Sequence, residues 1–378
     1  MRSRNLRSLT LSLVSFVSLA SLGACTQGCS HTPPASAPPP TAGSVTTPPA
    51  TVAPPAPVVA PAPPPTPTPP VAADPPGDNY AGLGAKRVAF IEKTAAQTGI
   101  PAADIAAWLG QAQYQQSIIN AMTRPAEGKP WRDYRPIFLT DKRIADGRAF
   151  LAANRAELLR IQQQTGVPPE YVTAIIGVET FYGTTTGNYR VLDALYTLGF
   201  FYPKREEFFR AELAHLFPLA REEGLDLATL KGSYAGAMGW GQFIPSSYRA
   251  YAVDGDGDGR RDLVSSRRDA MASVANYFNK HGWRAGQPVV VRAQAQPGAA
   301  PFKPETLEAK YTLADLAARG YRAVGPVPAL PATLITLEGT GGTEHWLAFN
   351  NFYVITRYNR SPLYAMAVHQ LAQELAAP

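Results

Sequence analysis

From Thr140 onward the chain alternates apolar and polar positions with helical periodicity. Thr140-Asp141 supplies an N-cap. Ile144, Leu151 and Leu158 then recur at seven-residue spacing, with Ile161 on a nearby face. The spacing predicts one helix that Gly166 stops. Pro168-Pro169-Glu170 opens a second helix, since proline is tolerated in a first helical turn. Further helical runs cover Asp269 to Lys280 and Pro362 to Leu375. Between about 285 and 356 the texture changes. Val289-Val290-Val291, Leu334-Ile335-Thr336-Leu337 and Phe352-Tyr353-Val354-Ile355 are β-type runs parted by Gly and Pro. The expected fold class is mainly α (α+β), with a small inserted antiparallel β region.

Ahead of this pattern the composition is different. Arg2, Arg4 and Arg7 precede an apolar run, Leu9 to Leu22, too short to span a bilayer with comfort. The run ends at Leu22-Gly23-Ala24-Cys25, which resembles the lipobox of bacterial lipoproteins. Residues 1–24 are therefore expected to be removed, Cys25 to be lipidated, and Thr26 (not an aspartate) to direct the product to the outer membrane, facing the periplasm. From about Thr32 to Pro76 the chain is mostly Pro, Ala, Thr and Val and cannot bury a core, so 25–78 reads as a linker. Extended proline-rich chain of that length reaches about 100 Å. Residues 79–378 form the expected catalytic domain. Cys25 and Cys29 are the chain's two cysteines, so that domain holds no disulfide.

The formal charge is +6, and loss of the three leading arginines leaves +3. A mild excess suits an anionic partner. The basic clusters, Lys204-Arg205, Arg260-Arg261 and Arg267-Arg268, are too short for the dense stripe of a nucleic-acid binder.

The chemistry centres on the helix from Pro169. Val172, Ile175, Ile176 and Glu179 fall at i, i+3, i+4 and i+7, which puts one carboxylate on the apolar stripe. The helix is expected to break near Gly183, leaving Glu179 by a C-terminus whose dipole disfavours negative charge. Burial acts in the same direction, and both raise the pKa as a general acid at neutral pH requires.

Four blocks in order resemble the membrane-bound lytic murein transglycosylases of the B type. They are Ala174-Ile175-Ile176-Gly177-Val178-Glu179-Thr180; Leu192-Asp193-Ala194-Leu195 leading to Tyr202-Pro203-Lys204-Arg205; Lys231 through Phe243 with its repeated glycines; and Arg357-Tyr358-Asn359-Arg360-Ser361 with Tyr364. The resemblance implies a lysozyme-like helical fold and cleavage of the β-1,4 bond between N-acetylmuramic acid and N-acetylglucosamine in peptidoglycan glycan strands. It implies release of 1,6-anhydromuramic ends through a single acid/base, Glu179, with no cofactor needed for the chemistry. By position in the motifs, Ser233 and Gln242 bond near Glu179 and the N-acetyl group. Phe243, Tyr134, Tyr277, Tyr358 and Tyr364 line the cleft, Asn359 adds an amide, and Lys204 and Arg205 pair with carboxylates of the peptide stems. Lys204 and Phe208 depart from the family, which has arginine and often tyrosine there. Asp193 is expected to cap structure. Two other functions fit the same residues: a hydrolysing muramidase that uses water as nucleophile, and a non-enzymatic wall-binding scaffold. Nothing in the chain names a protein partner.

A second constellation is Asp254-Gly255-Asp256-Gly257-Asp258-Gly259, the first half of an EF-hand-like calcium loop. Asp254, Asp256 and Asp258 would donate carboxylates and Arg260 its carbonyl. Ser265 stands where a bidentate glutamate would be, so a structural calcium site of reduced ligand count is expected. The family of resemblance carries such a loop.

Overall fold

A computed structural model describes residues 83–123 and 129–377. The leader, Cys25, Cys29 and the boundaries at 24 and 78 lie outside the described residues.

The run opened by Thr140 is two helices, not one. Thr140 caps α5 (Asp141–Ala153) by accepting the N–H of Arg143 at 3.2 Å. The ladder then breaks at Asn154, and α6 (Arg155–Thr165) follows, ended by left-handed Gly166. The break has a local cause: the Asn154 Nδ2 donates to the Phe150 carbonyl at 2.7 Å, and a short polar side chain competes with the helix for backbone groups. Heptad spacing did not register this, because the apolar face continues across the break. Four helices precede α5: α1 (Leu83–Thr98), α2 (Ala102–Gly110), α3 (Gln116–Thr123) and α4 (Trp131–Phe138).

Next comes α7 (Pro169–Thr180), with proline in its first turn. Nine of its twelve residues are buried. The apolar stripe of Val172, Ile175 and Ile176 is thus one face of a helix enclosed on every side, as a helix apolar all round must be. The two-residue strand β1 (Tyr189–Arg190) leads into α8 (Val191–Phe201), which is buried throughout. Asp193, in its first turn, accepts from the Gln113 N–H at 2.7 Å and pairs with Arg190, which ties the loop after α2 to α8. Then follow α9 (Glu206–Glu223), β2 (Lys231–Gly232) paired antiparallel to β1, α10 (Pro245–Tyr251) and α11 (Arg267–Lys280).

The inserted sheet has the order β4-β3-β6-β5 and is antiparallel throughout. Its strands are β3 (Val290–Ala295), β4 (Tyr321–Ala323), β5 (Thr333–Gly339) and β6 (Gly342–Ala348), with α12 (Leu313–Ala318) between β3 and β4. Side chains alternate across it. Val290, Ile335, Leu337 and Ala348 join the main core, whereas Ala293, Tyr321, Leu334 and Leu347 form a small second core with Leu316 and Phe349.

One β expectation fails. Phe352–Ile355 lies in α13 (Asn350–Tyr358). Its β-branched residues are buried, and tertiary packing overrides their propensity. Asn351 fixes the helix through three bonds to the loop after α11, to Arg284 N, Arg284 O and Gln287 O. The chain closes with α14 (Pro362–Ala376). No described helix is long and apolar enough to cross a membrane.

Candidate active site

Glu179 is the penultimate residue of α7, and the helix stops there abruptly. Phe181 and Tyr182 both take positive φ, 50° and 59°, before Gly183 at 85°. Two consecutive non-glycine residues in this region are strained, so packing must hold them. Tyr182 shows how. Its ring lies where a Cβ on Gly177 or Gly147 would sit, 2.7 and 2.2 Å from its atoms, and its hydroxyl donates to the Arg143 carbonyl at 2.8 Å. Those two glycines let one tyrosine wedge between α5 and α7 and lock the helix end.

The glycine block faces this end. Thr180 Oγ1 donates to the Trp240 carbonyl at 2.8 Å, and the Trp240 ring fills the space a Gly183 side chain would need. Gln242 also has positive φ, 52°. Its Nε2 donates to the carbonyls of Thr186 and Gly239, both at 3.0 Å, which anchors the block to the loop after α7. Ser233 Oγ accepts from the N–H groups of Ala235 and Ala237 at 3.3 and 3.1 Å. Its hydroxyl proton is left to donate.

Between these elements lies a cavity of about 220 Å³. Glu179, Ser233, Gln242, Tyr134, Asn359 and Tyr364 line it, with Phe138, Phe208, Phe209, Tyr234 and Ile244 adding apolar walls. Glu179 is half-buried at its edge. The Tyr364 hydroxyl, brought by the first turn of α14, donates to Glu179 Oε1 at 2.5 Å. Burial pushes the Glu179 carboxyl up to about 7, against the lowering effect of that bond. At neutral pH the group is therefore poised between proton donor and acceptor. Burial, and then the charge of Glu179, push the Tyr364 and Tyr358 phenols upward, so both stay protonated. No second carboxylate stands among the residues lining the cavity.

Several expected cleft residues lie elsewhere. Phe243, Tyr277 and Tyr358 form an edge-to-face aromatic cluster, with centroids 4.8 to 5.9 Å apart, outside the cavity lining. Each tyrosine hydroxyl is committed to a carbonyl, Tyr277 to Arg357 and Tyr358 to Gly241, both at 2.6 Å. The cluster is buried, and Tyr358 ties it to the glycine block at Gly241. Lys204 is exposed. Arg205 is turned inward, its guanidinium 4.2 Å from the Phe208 ring centroid and 5.2 Å from that of Phe209. Phe138, Phe209, Tyr234 and Ile244 were not singled out in the sequence. The spacing of Tyr134 and Phe138, one helical turn apart, was the available signal.

The acidic loop also departs from expectation. The carboxylates that converge are Asp254, Asp256 and Asp269, with one oxygen of each within 4.8 Å of the others. Asp258 instead accepts from the Arg260 N–H at 2.8 Å, and the Ser265 N–H donates to Asp262 at 2.8 Å. Among these carboxylates, Asp258 is not part of the cluster. The loop outruns the twelve-residue EF-hand frame, and its third acid comes from the first turn of α11. Ser266 caps that helix by accepting the Asp269 N–H at 3.2 Å and also donates to Asp256 at 2.9 Å. A Ser-x-x-Asp capping spacing was the legible clue to Asp269. Three converging carboxylates with hard oxygen donors suit a calcium ion.

The model of the Transglycosylase SLT domain matches residues 84–373. The chain belongs to this family and is a lytic transglycosylase. Among its relatives, membrane-bound lytic murein transglycosylase B of Escherichia coli strain K12 is 42% identical over 298 residues, which cover 76% of this chain and 81% of that protein. Among solved structures, the soluble lytic transglycosylase SltB1 of Pseudomonas aeruginosa is 45% identical with a TM-score of 0.72, covering 77% of this chain and 98% of that one. The lytic transglycosylase Slt35 of Escherichia coli, solved in complex with calcium, is 42% identical with a TM-score of 0.70, covering 79% and 95%. The mainly helical, lysozyme-like fold with a small antiparallel sheet is that of these SLT transglycosylases.

Proposed function

We propose that this transglycosylase cleaves the β-1,4 bond between N-acetylmuramic acid and N-acetylglucosamine in peptidoglycan, with Glu179 as the single acid/base. One observation carries the reading: a carboxyl that burial pushes up to about 7 opens on a cavity lined by no other acid. Glycosidases that add water generally need a pair of carboxylates. A lone one suffices when the substrate supplies the rest. Glu179 donates its proton to the glycosidic oxygen as the C1–O bond breaks. The muramic 2-acetamido oxygen closes on C1 and holds the developing cation. Glu179, now ionised and steadied by the Tyr364 hydroxyl, takes the proton of the 6-hydroxyl, whose oxygen attacks C1 and expels the acetamido oxygen. The product is a 1,6-anhydromuramic end, and Glu179 is again protonated.

Ser233, with its hydroxyl proton, and the Asn359 amide, both on the cavity lining, would hold the N-acetyl group. Phe208, backed by Phe209, and the edge of Tyr134 would offer apolar ring surface to sugar C–H groups. Asp254, Asp256 and Asp269 would hold a calcium ion, which would brace the loop between α10 and α11 and takes no part in the chemistry. The lipobox supports anchoring to the outer membrane through Cys25, as the membrane-bound name of the Escherichia coli relative accords. Metabolic labelling with a fatty-acid analogue, lost in Cys25→Ser, tests the anchor.

Mass spectrometry of muropeptides released from purified sacculi tests the reaction. Anhydro ends from the wild type and none from Glu179→Gln are expected. Reducing ends would make the enzyme a hydrolase, and digestion by Glu179→Gln at the wild-type rate would remove Glu179 from the mechanism.

A further inference from the structure

One buried acid near the cavity plays no part in the reaction above. Glu212 lies in the second turn of α9 after Phe208 and Phe209 and is 4% exposed. Both of its carboxylate oxygens are occupied by one residue: Ser246 donates its N–H to Oε2 at 2.9 Å and its hydroxyl to Oε1 at 2.7 Å. Ser246 begins α10 two residues after Ile244, where the glycine block ends. Phe208 and Phe209 form one wall of the cavity and Ile244 belongs to the other. The Ser246–Glu212 bonds therefore clamp the two walls together from behind.

The same carboxylate acts on a second group. Burial pushes the Glu212 carboxyl up, and the Ser246 donors and then the Arg205 charge pull it back. Arg205 in turn covers Phe208 and Phe209 with its guanidinium, at 4.2 and 5.2 Å from the ring centroids. A cation over a ring face restrains that ring.

We propose that Glu212 is a positioning residue that seats an N-acetylhexosamine ring. Through Ser246 it sets the gap between the walls, and with it the seat on the Phe208 platform. The inference rests on the proposed glycan cleavage and concerns substrate fit, not proton transfer. Its signature is a rise in KM with kcat preserved, because the clamp touches neither Glu179 nor the scissile bond.

The test uses peptidoglycan glycan strands and compares wild type, Glu212→Gln, Phe208→Ala and the double variant. Glutamine leaves one acceptor where Ser246 needs two. Glu212→Gln is expected to raise KM about fivefold, the scale of one well-seated aromatic contact, with kcat within twofold. In the Phe208→Ala background it is expected to add little, because its platform is already gone. Glu212→Asp, which keeps two oxygens, is expected to recover part of the loss. A fall in kcat at constant KM, or KM effects that multiply in the double variant, would overturn the proposal in favour of plain structural support. Should Glu212→Gln fail to fold, Ser246→Ala removes only the hydroxyl donor and is expected to raise KM about twofold, the scale of one net hydrogen bond lost in part; an unchanged KM overturns the proposal. If the wild type releases no anhydro ends, the glycan-cleavage reading fails first, and the two failures are thereby told apart.

Discussion

Glu179 and the acidic loop at 254–269 use the same functional group to opposite ends. Glu179 stands at the C-terminal end of an enclosed helix, with one hydroxyl donor and no cation beside it. Burial drives it towards the neutral form, up to about 7. Asp254 is fully exposed and accepts from the N–H groups of Gly257 and Gly259 at 2.6 and 2.8 Å. Those backbone donors, Gly259 first, hold its carboxyl below the ordinary range. The contrast shows that the carboxylate itself decides little. Water and backbone dipoles make one acid a permanent anion fit for a cation. Their exclusion makes the other a proton carrier.

The largest effect that separates the two sites is chemical. Glu179→Gln is expected to lower kcat about 10³-fold, within the span of general acid–base catalysis. Asp269→Ala, assayed well below its melting temperature, is expected to leave kcat within a few-fold. Comparable losses in both variants would break the comparison. Next in size is the pH profile. The first proton transfer needs Glu179 protonated, so kcat/KM is expected to fall about tenfold per unit above pH ~7, and a profile flat to pH 9 would exclude Glu179 as the titrating donor.

Stability is expected to fall over the same pH range. The folded-state pKa of Glu179, about 7, lies above the ordinary glutamate value of 4.5. The folded protein thus binds the extra proton, and the resulting stability is present below the unfolded value and lost as pH rises through 7. At pH 8 the ionised, desolvated carboxylate costs about 2 kcal/mol after allowance for its partial exposure. Glu179→Gln is expected to recover it there and to gain almost nothing at pH 4, as thermal melts at both values would show. The smallest effect belongs to the loop. Millimolar calcium is expected to raise Tm by about 2–4 °C, corresponding to binding worth ~1.4 kcal/mol. The shift should vanish in Asp269→Ala and persist in Ser265→Ala. A shift retained without Asp269 would return the site to the twelve-residue frame.

Much of the fold was legible because its cues are local. The Thr140 cap, the Gly166 stop, the proline start of α7 and the limits of α11 and α14 are set by hydrogen bonds within a few residues. The two errors, at Asn154 and at Phe352–Ile355, share a cause. In each, a polar side chain or a distant packing partner overrode the periodicity that the apolar residues display.

The site divides along the same line. Sequence alone determined that a single carboxylate sits in an apolar run beside a helix end, that a glycine-dense block is available to face it, and that an acidic loop follows. Tertiary structure decided the rest. Tyr364, 185 residues away, was brought onto Glu179; Asp269 joined Asp254 and Asp256; and Tyr277 and Tyr358 were buried in the core. The reason is that desolvation and charge sum over every neighbour in space. A pattern along one element reports which side is buried, but not which atoms wait on the other side.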